Sequence, residues 1–363
     1  MIECIFELYN IATINLENPI NSTLIIDLEY NNTIYEYNIH SHIGQGTVGD
    51  VYLLEFLGKT DYVIKISKNK TKNDLISEIN IFQNYLIKND NNQKIFPIFY
   101  GKFKNSNRLG IVYNCLGNYN LDKFKLNHYN LFSFNNNINI IKQIIQQLIS
   151  FNNVIHCDLK ASNIIIDIKD NRLISTITDL GLSNLIIPKK TVLSTNYITS
   201  PESLLSVAEY RKCLVHNKDF NIKKHDYFGI FVIILNLFLI KNYWNVLNSY
   251  LTTELKINSQ FLIKQESSVF YVYIWYKFNN SYSNNESLKN VIYQIENIYP
   301  QLKTINIINF DLYFKLYILP NLNLNLINKD KTIELYSFLK LLIKFDPDDR
   351  PTLEELLNNI FLN

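Results

Sequence analysis

The sequence predicts an α+β chain in two lobes, a small β-rich lobe followed by a larger, mainly helical one. Three observations predict it. Three of only nine glycines cluster as Gly44-Gln45-Gly46-Thr47-Val48-Gly49-Asp50-Val51, between strand-like stretches at 37–43 and 51–56. Residues 37–113 then read mostly as strand, interrupted by one helix. From about residue 121 onward, apolar residues recur at three-to-four spacing and read as helix.

Residues 1–36 form an N-terminal extension of short strands (Leu24-Ile25-Ile26, Thr33-Ile34-Tyr35) between Asn-rich turns. The glycine cluster comes next. Glycine has no Cβ, so such a turn brings backbone N–H groups close to phosphate oxygens. A dinucleotide-binding turn shares this spacing but opens a helix after its third glycine. Here residues 51–56 are β-branched, aromatic and apolar, and read as a second strand. A hairpin folded over nucleotide phosphates is favoured. The strand Tyr62-Val63-Ile64-Lys65-Ile66 puts Val63 and Lys65 on one face. A helix is predicted over 73–87, capped by Asn73 or Asp74, with Leu75, Ile76, Ile79, Phe82 and Leu86 as its apolar residues. A lysine beneath a phosphate loop needs an anion to fix it, and Glu78 is the candidate; taken alone, both also read as ordinary surface residues. The clearest later helices are 138–151 and 226–240, with weaker ones at 333–345 and 353–362. The Asn- and Tyr-rich stretch 241–330 has few turn signals.

Composition narrows the function. The chain has 363 residues, 47% of them hydrophobic, which excludes a largely disordered protein. A net charge of +2, with scattered lysines, points to neither nucleic acid nor a membrane surface. Cys4, Cys115, Cys157 and Cys213 lack metal-site spacing and suit a reducing, intracellular compartment, so a cytoplasmic location is expected. The first residues lack the features of a signal peptide, and the longest apolar run, 228–240, is too short to span a bilayer. Abundant Asn, Ile and Lys, against three alanines and four arginines, match A/T-rich codons, as in a large DNA virus or a protist. If the source is viral, host cytoplasm or the virion is the expected location.

The second cluster carries the chemistry. His156-Cys157-Asp158-Leu159-Lys160-Ala161-Ser162-Asn163 follows a helix and leads into Ile164-Ile165-Ile166, and Asp179-Leu180-Gly181 follows. Asp158 can accept a hydroxyl proton. Asn163 and Asp179 supply the oxygen ligands Mg²⁺ prefers, and Lys160 can neutralise a transferring phosphoryl group.

In this order the motifs resemble the eukaryotic-type protein kinase family, from about Tyr37 to the C-terminus. The resemblance runs through the glycine loop, Lys65, Glu78, the loop 156–163 and Asp179-Leu180-Gly181. It continues through Ser200-Pro201-Glu202, Asp226 opening a buried helix, and Asp346-Pro347-Asp348-Asp349-Arg350-Pro351. It implies the two-lobed protein-kinase fold, with an N-lobe over 37–113, a hinge over 114–120 and a C-lobe over 121–363. It also implies a protein serine/threonine kinase that uses ATP and Mg²⁺ on protein substrates. Asp158 would be the base, Lys160 a phosphate-stabilising cation, Asn163 and Asp179 metal ligands, and Lys65, held by Glu78, the α/β-phosphate ligand. The glycine loop 44–49 would cover the phosphates. Ile43, Val51, Val63 and Ile165 would enclose the adenine, Tyr113 the back pocket, and Asn114-Cys115-Leu116 the hinge. Arg350 would pair with Glu202. Lys160 and Thr195 resemble the Ser/Thr-specific branch, and residues 116–124 resemble the casein-kinase-1-like group.

Several residues depart from the family pattern. Cys157 replaces the catalytic-loop arginine, so activity independent of activation-loop phosphorylation is expected. Val63 replaces a small alanine, Phe228 a tryptophan and Phe231 a glycine. Lys65 and Glu78 stand closer in sequence than usual. Asp226 and Arg350 stand farther apart, implying an insertion within 241–330 that could serve as a docking surface. The alternative function is a pseudokinase-type binding scaffold, although Lys65, Asp158, Asn163 and Asp179 are all retained.

Overall fold

A computed structural model describes residues 23–28, 33–45, 49–56, 59–68, 72–81, 99–105, 108–117, 119–151, 154–185, 224–257, 267–279 and 286–363. The chain divides into two compact units. The first comprises residues 1–119 with 165–167 and 176–181, and the second comprises the remainder.

The first unit is built on a six-stranded antiparallel sheet of β1 (Thr23–Leu28), β2 (Thr33–Gln45), β3 (Gly49–Phe56), β4 (Lys59–Ser67), β5 (Phe99–Asn105) and β6 (Arg108–Asn114). The strand order is β1-β2-β3-β4-β6-β5. β2 runs without interruption through residue 37, and β1 pairs along it, so residues 23–28 and 33–36 belong to the same sheet as the glycine hairpin. The helix described in this unit, α1 (Lys72–Ile81), begins one residue earlier than expected. Asn73 and Asp74 therefore lie in its first turn rather than capping it. Leu75 and Ile79 are buried but Ile76 is 39% exposed, because position 76 turns away from the stripe formed by 75 and 79. Phe82 and Leu86 lie outside the described residues.

The second unit carries the helices α2 (Leu121–Asn127), α3 (Phe134–Ser150), α4 (Tyr227–Phe238), α5 (Tyr243–Ser249), α6 (Ser267–Asn279), α7 (Glu286–Ile298), α8 (Phe310–Tyr313), α9 (Lys329–Leu342) and α10 (Leu353–Leu357). The remaining short strands are β7 (Tyr119–Asn120), β8 (Val154–Ile155), the hairpin β9 (Ile164–Lys169) and β10 (Arg172–Ile177), and β11 (Asn184–Leu185). α3 is amphipathic, with Ile138, Ile141, Ile145 and Leu148 inward, and Ser133 caps it. α4 is buried throughout except at Asn236, whose Oδ1 accepts the Tyr243 N–H at 2.7 Å and so starts the next helix. α10 is shorter than expected: after its capping box of Thr352 and Glu355 it gives way to a separate 3₁₀ turn, Ile360–Leu362.

The stretch 241–330, illegible in sequence, supplies core. Trp275 of α6 is fully buried and packs edge-on against Phe228, Phe231 and Phe278, with ring centroids 5.1 to 5.7 Å away. Phe231, standing where the family has a glycine, meets both Trp275 and Tyr243. No described helix is long and apolar enough to cross a membrane.

Candidate active site

In the first unit, β4 lies inside the sheet between β3 and β6, and its residues Val63 to Ser67 are all buried. Lys65 lies opposite Val51 and Ile111 and is 3% exposed. An ammonium there is stable only with opposite charge beside it. Its Nζ is 2.8 Å from Glu78 Oε2 on α1 and 2.6 Å from Asp179 Oδ1. The short sequence interval to Glu78 therefore still brings the two side chains together. Burial works against the charge on Lys65, but Glu78 and Asp179 outweigh it and hold the ammonium above the ordinary lysine range. Tyr113, on β6 opposite Val63, feels the charges of all three groups. Burial pushes its hydroxyl above the usual phenol range, so it remains neutral.

β2 and β3 form the two sides of the glycine hairpin, with Gly44 opposite Val51 and Gln45 opposite Asp50. The register shifts just before it, between His42 and Gly44, where a bulge re-aims the strand. Gly49 has to be glycine: a Cβ there would stand 2.4 Å from the Ile66 carbonyl oxygen. Gly46, Thr47 and Val48 lie outside the described residues. Ile43 is exposed, Val51 half-buried and Val63 buried. Asn114 ends β6, and Cys115 and Leu116 follow in irregular backbone, both half-buried. Ile165 lies against Gly117 in the same unit.

In the second unit, the loop between β8 and β9 gathers Asp158, Lys160 and Asn163. Asp158 is 6% exposed, and its Oδ2 is 2.7 Å from Lys160 Nζ. A 3₁₀ turn, Ala161–Asn163, folds Asn163 back, so that its Nδ2 donates to the Asp158 carbonyl at 2.9 Å and to Oδ2 at 3.2 Å. Asp226 precedes α4 but does not cap it. Its carboxylate instead accepts the His156 N–H at 2.8 Å and the Cys157 N–H at 2.9 Å. Cys157 is fully buried with φ of 66°, a left-handed conformation that non-glycine residues rarely adopt.

Gly229 is a residue whose role sequence reasoning missed. A Cβ there would stand 2.4 Å from the Leu159 carbonyl oxygen, so glycine lets α4 lie directly against the Asp158 loop. Its signal was a scarce glycine inside an otherwise apolar helix.

Arg350 is 2% exposed and donates to the carbonyls of Lys344 and Lys224 at 2.8 Å and of Phe345 at 3.3 Å. Its guanidinium also lies 4.8 Å from the Phe228 ring centroid. Thr195 and Glu202 lie outside the described residues, and with them the expected Glu202–Arg350 pair.

The donors expected for Mg²⁺ fit that ion chemically. Asp179 offers a carboxylate that is 35% exposed. With Asn163 Nδ2 directed at Asp158, the amide oxygen is the ligand atom Asn163 would present. A carboxylate oxygen and an amide oxygen are each hard donors of the kind Mg²⁺ accepts. Burial pushes the Glu78 carboxyl up, while Asp179 is the more exposed of the two carboxylates beside Lys65 and the one open to a cation. A shallow cavity of about 810 Å³ in the second unit, lined by residues including Phe134, Lys142, Leu324, Lys331 and Phe361, contains none of the expected site residues.

A β-sheet unit with one helix and a larger helical unit make up the protein-kinase fold. A family model described as protein kinase domain matches residues 37–362, and the chain belongs to the protein kinase family. It is 28% identical over 189 residues to the dual specificity tyrosine-phosphorylation-regulated kinase 2 of Drosophila melanogaster. That match covers 50% of this chain and 26% of the relative, so the chain spans about a quarter of that protein's length. A crystal structure of a kinase domain aligns with a TM-score of 0.59 at 16% identity, covering 93% of this chain and 97% of that one, a likeness of fold.

Proposed function

We propose that this chain is a protein serine/threonine kinase that transfers the γ-phosphate of ATP to Ser and Thr hydroxyls of protein substrates. The observation that supports this best is the placement of Lys65 inside a sheet between Glu78 and Asp179. A buried lysine between two carboxylates is a poor device for stability and a good one for holding a polyphosphate and its cation.

Asp158 takes the proton from the substrate hydroxyl. Lys160, already 2.7 Å from that carboxylate, supplies positive charge to the phosphoryl group in transit. Lys65 binds the α- and β-phosphates, with Glu78 keeping its ammonium in place. Asn163 and Asp179 would hold Mg²⁺, which when bound offsets charge on the phosphate oxygens. The backbone of residues 44–49 covers the phosphates, and Ile43, Val51, Val63 and Ile165 flank the adenine. Thr195 and Glu202 would belong to the activation segment, and Lys160 with Thr195 supports Ser/Thr over Tyr specificity.

The test is transfer of radiolabelled phosphate from ATP to casein, with Asp158→Asn and Lys65→Met alongside wild type and phosphoamino-acid analysis of the product. Each substitution should lower transfer by about 10²-fold or more, as expected when a group acting directly on the transferring phosphoryl is removed. Wild-type signal in both variants would refute the assignment. Label on tyrosine would refute the Ser/Thr specificity. Nucleotide binding without transfer would favour a scaffold.

A further inference from the structure

Two imidazoles bracket the peptide that leads into Asp158. The Asp158 N–H points to His156 Nδ1 at 3.2 Å, and the Cys157 carbonyl oxygen lies 3.4 Å from His225 Nε2. For both contacts to be hydrogen bonds, the two rings must take opposite roles. His156 must keep Nδ1 unprotonated, and His225 must carry a proton on Nε2. The rings are 0% and 1% exposed, so bulk water does not substitute for either partner.

His225 immediately precedes Asp226, whose carboxylate holds the N–H groups of His156 and Cys157. Two consecutive residues therefore grip Cys157 on both sides, Asp226 at its N–H and His225 at its carbonyl. That residue needs gripping, because its φ of 66° lacks the steric freedom of glycine and persists only when its surroundings over-determine it. On the downstream side, Lys160 and Asn163 tie the Asp158 carboxylate. On the upstream side, the plane of the Cys157–Asp158 peptide sets where that carboxylate begins.

We infer that His225 is a positioning residue, whose Nε2–H fixes the Cys157–Asp158 peptide and through it the direction of the Asp158 carboxylate. This rests on the reading of Asp158 as the base. Removing the donor leaves a buried carbonyl without it, and rotation of the strained peptide is the available relaxation. Lys65, Glu78 and the glycine hairpin are untouched, so the effect falls on kcat rather than on KM for ATP.

The test uses the full chain with casein as substrate. His225→Phe keeps a planar ring and loses the donor, whereas His225→Gln can present an amide N–H near the position of Nε2. The Phe variant should lower kcat by about tenfold or more with KM for ATP within about twofold, and the Gln variant should recover kcat to within about threefold of wild type. A Phe variant as fast as wild type, or a Gln variant no better than Phe, would show that the side chain only fills space and would overturn the inference. Should the Phe variant fail to fold, nitrogen NMR of histidine-labelled wild type decides instead. A protonated Nε2 on His225 supports the inference, and a bare one overturns it. Asp158→Asn, run in parallel, separates the two ideas: wild-type transfer in that variant would sink the base assignment itself, whereas a dead Asn variant beside a fully active Phe variant would sink only the role of His225.

Discussion

Gly229→Ala adds a single methyl group, and two lines of reasoning predict opposite results. Helix propensity alone says the change should stabilise α4 by about 1 kcal/mol, since alanine is the better helix former. The packing says otherwise. The added Cβ would stand 2.4 Å from the Leu159 carbonyl oxygen and 2.7 Å from the Leu159 Cβ, where ordinary contact begins at 3.4 Å. Something must move by about 1 Å, and α4 cannot retreat because its other residues nearby are all buried. Overpacking of this kind costs about 1–3 kcal/mol, so the net expectation, after the propensity gain, is a loss of about 0–2 kcal/mol. Leu159 stands between Asp158 and Lys160, so the same displacement reaches the proposed base. A shift of about 1 Å there can lower turnover by about 10²-fold. Urea denaturation at unchanged slope, together with the rate of phosphate transfer, measures both effects. An alanine variant at least as stable as wild type and equally active would refute the reasoning.

Other expectations follow from the same contacts. Asp226→Asn replaces one acceptor of a backbone N–H with a donor, and should destabilise the chain by about 2–4 kcal/mol in urea; a loss below about 1 kcal/mol would contradict the two-bond role of the carboxylate. Trp275→Ala should lose about 3–5 kcal/mol by thermal or urea unfolding, because its ring fills the core against Phe228, Phe231 and Phe278; a neutral result would mean that 241–330 is peripheral after all. With Cys157 in place of the catalytic-loop arginine, phosphatase treatment should leave transfer activity nearly unchanged, and a strong loss would contradict that. Hydrogen bonds from Lys340 and Tyr336 hold the Asp311 carboxyl below its ordinary value of 3.8. The stability this adds is present above that value and is lost as pH falls through the lower folded value. Asp311→Asn should remove that acid-side dependence, with an effect below about 1 kcal/mol since the pair is exposed.

The glycine hairpin, Lys65, Glu78 and the Asp158–Asn163 loop were legible because each is a local pattern. Glycines at fixed spacing, a short apolar strand and a turn with its polar residues are written in consecutive positions, and strand and helix periods act over a few residues. The order of these local patterns along the chain was enough to imply the two-lobed kinase fold. Helix ends are less legible: Asn73 and Asp74 both read as caps although α1 begins before them, and the stretch 353–362 hides a change from α-helix to 3₁₀ turn. Both depend on which backbone groups find partners rather than on periodicity.

What only the tertiary structure decided lies in contacts between residues far apart in the chain. Asp226 meets backbone N–H groups 69 and 70 residues away, Gly229 makes room for Leu159, and His225 faces the Cys157 carbonyl. No local period marks a residue for such a contact. The stretch 241–330 shows the same division. In α6 the buried Phe270, Tyr271, Tyr273, Trp275 and Phe278 carry no clean helical pattern, because they are buried from several directions at once and no single polar face is needed. The sequence by itself determined the residues available for the proposed chemistry and the order in which they appear. Close packing determined which glycine, which aromatic and which histidine hold that chemistry in place, because density and hydrogen-bond satisfaction are properties of the assembled core.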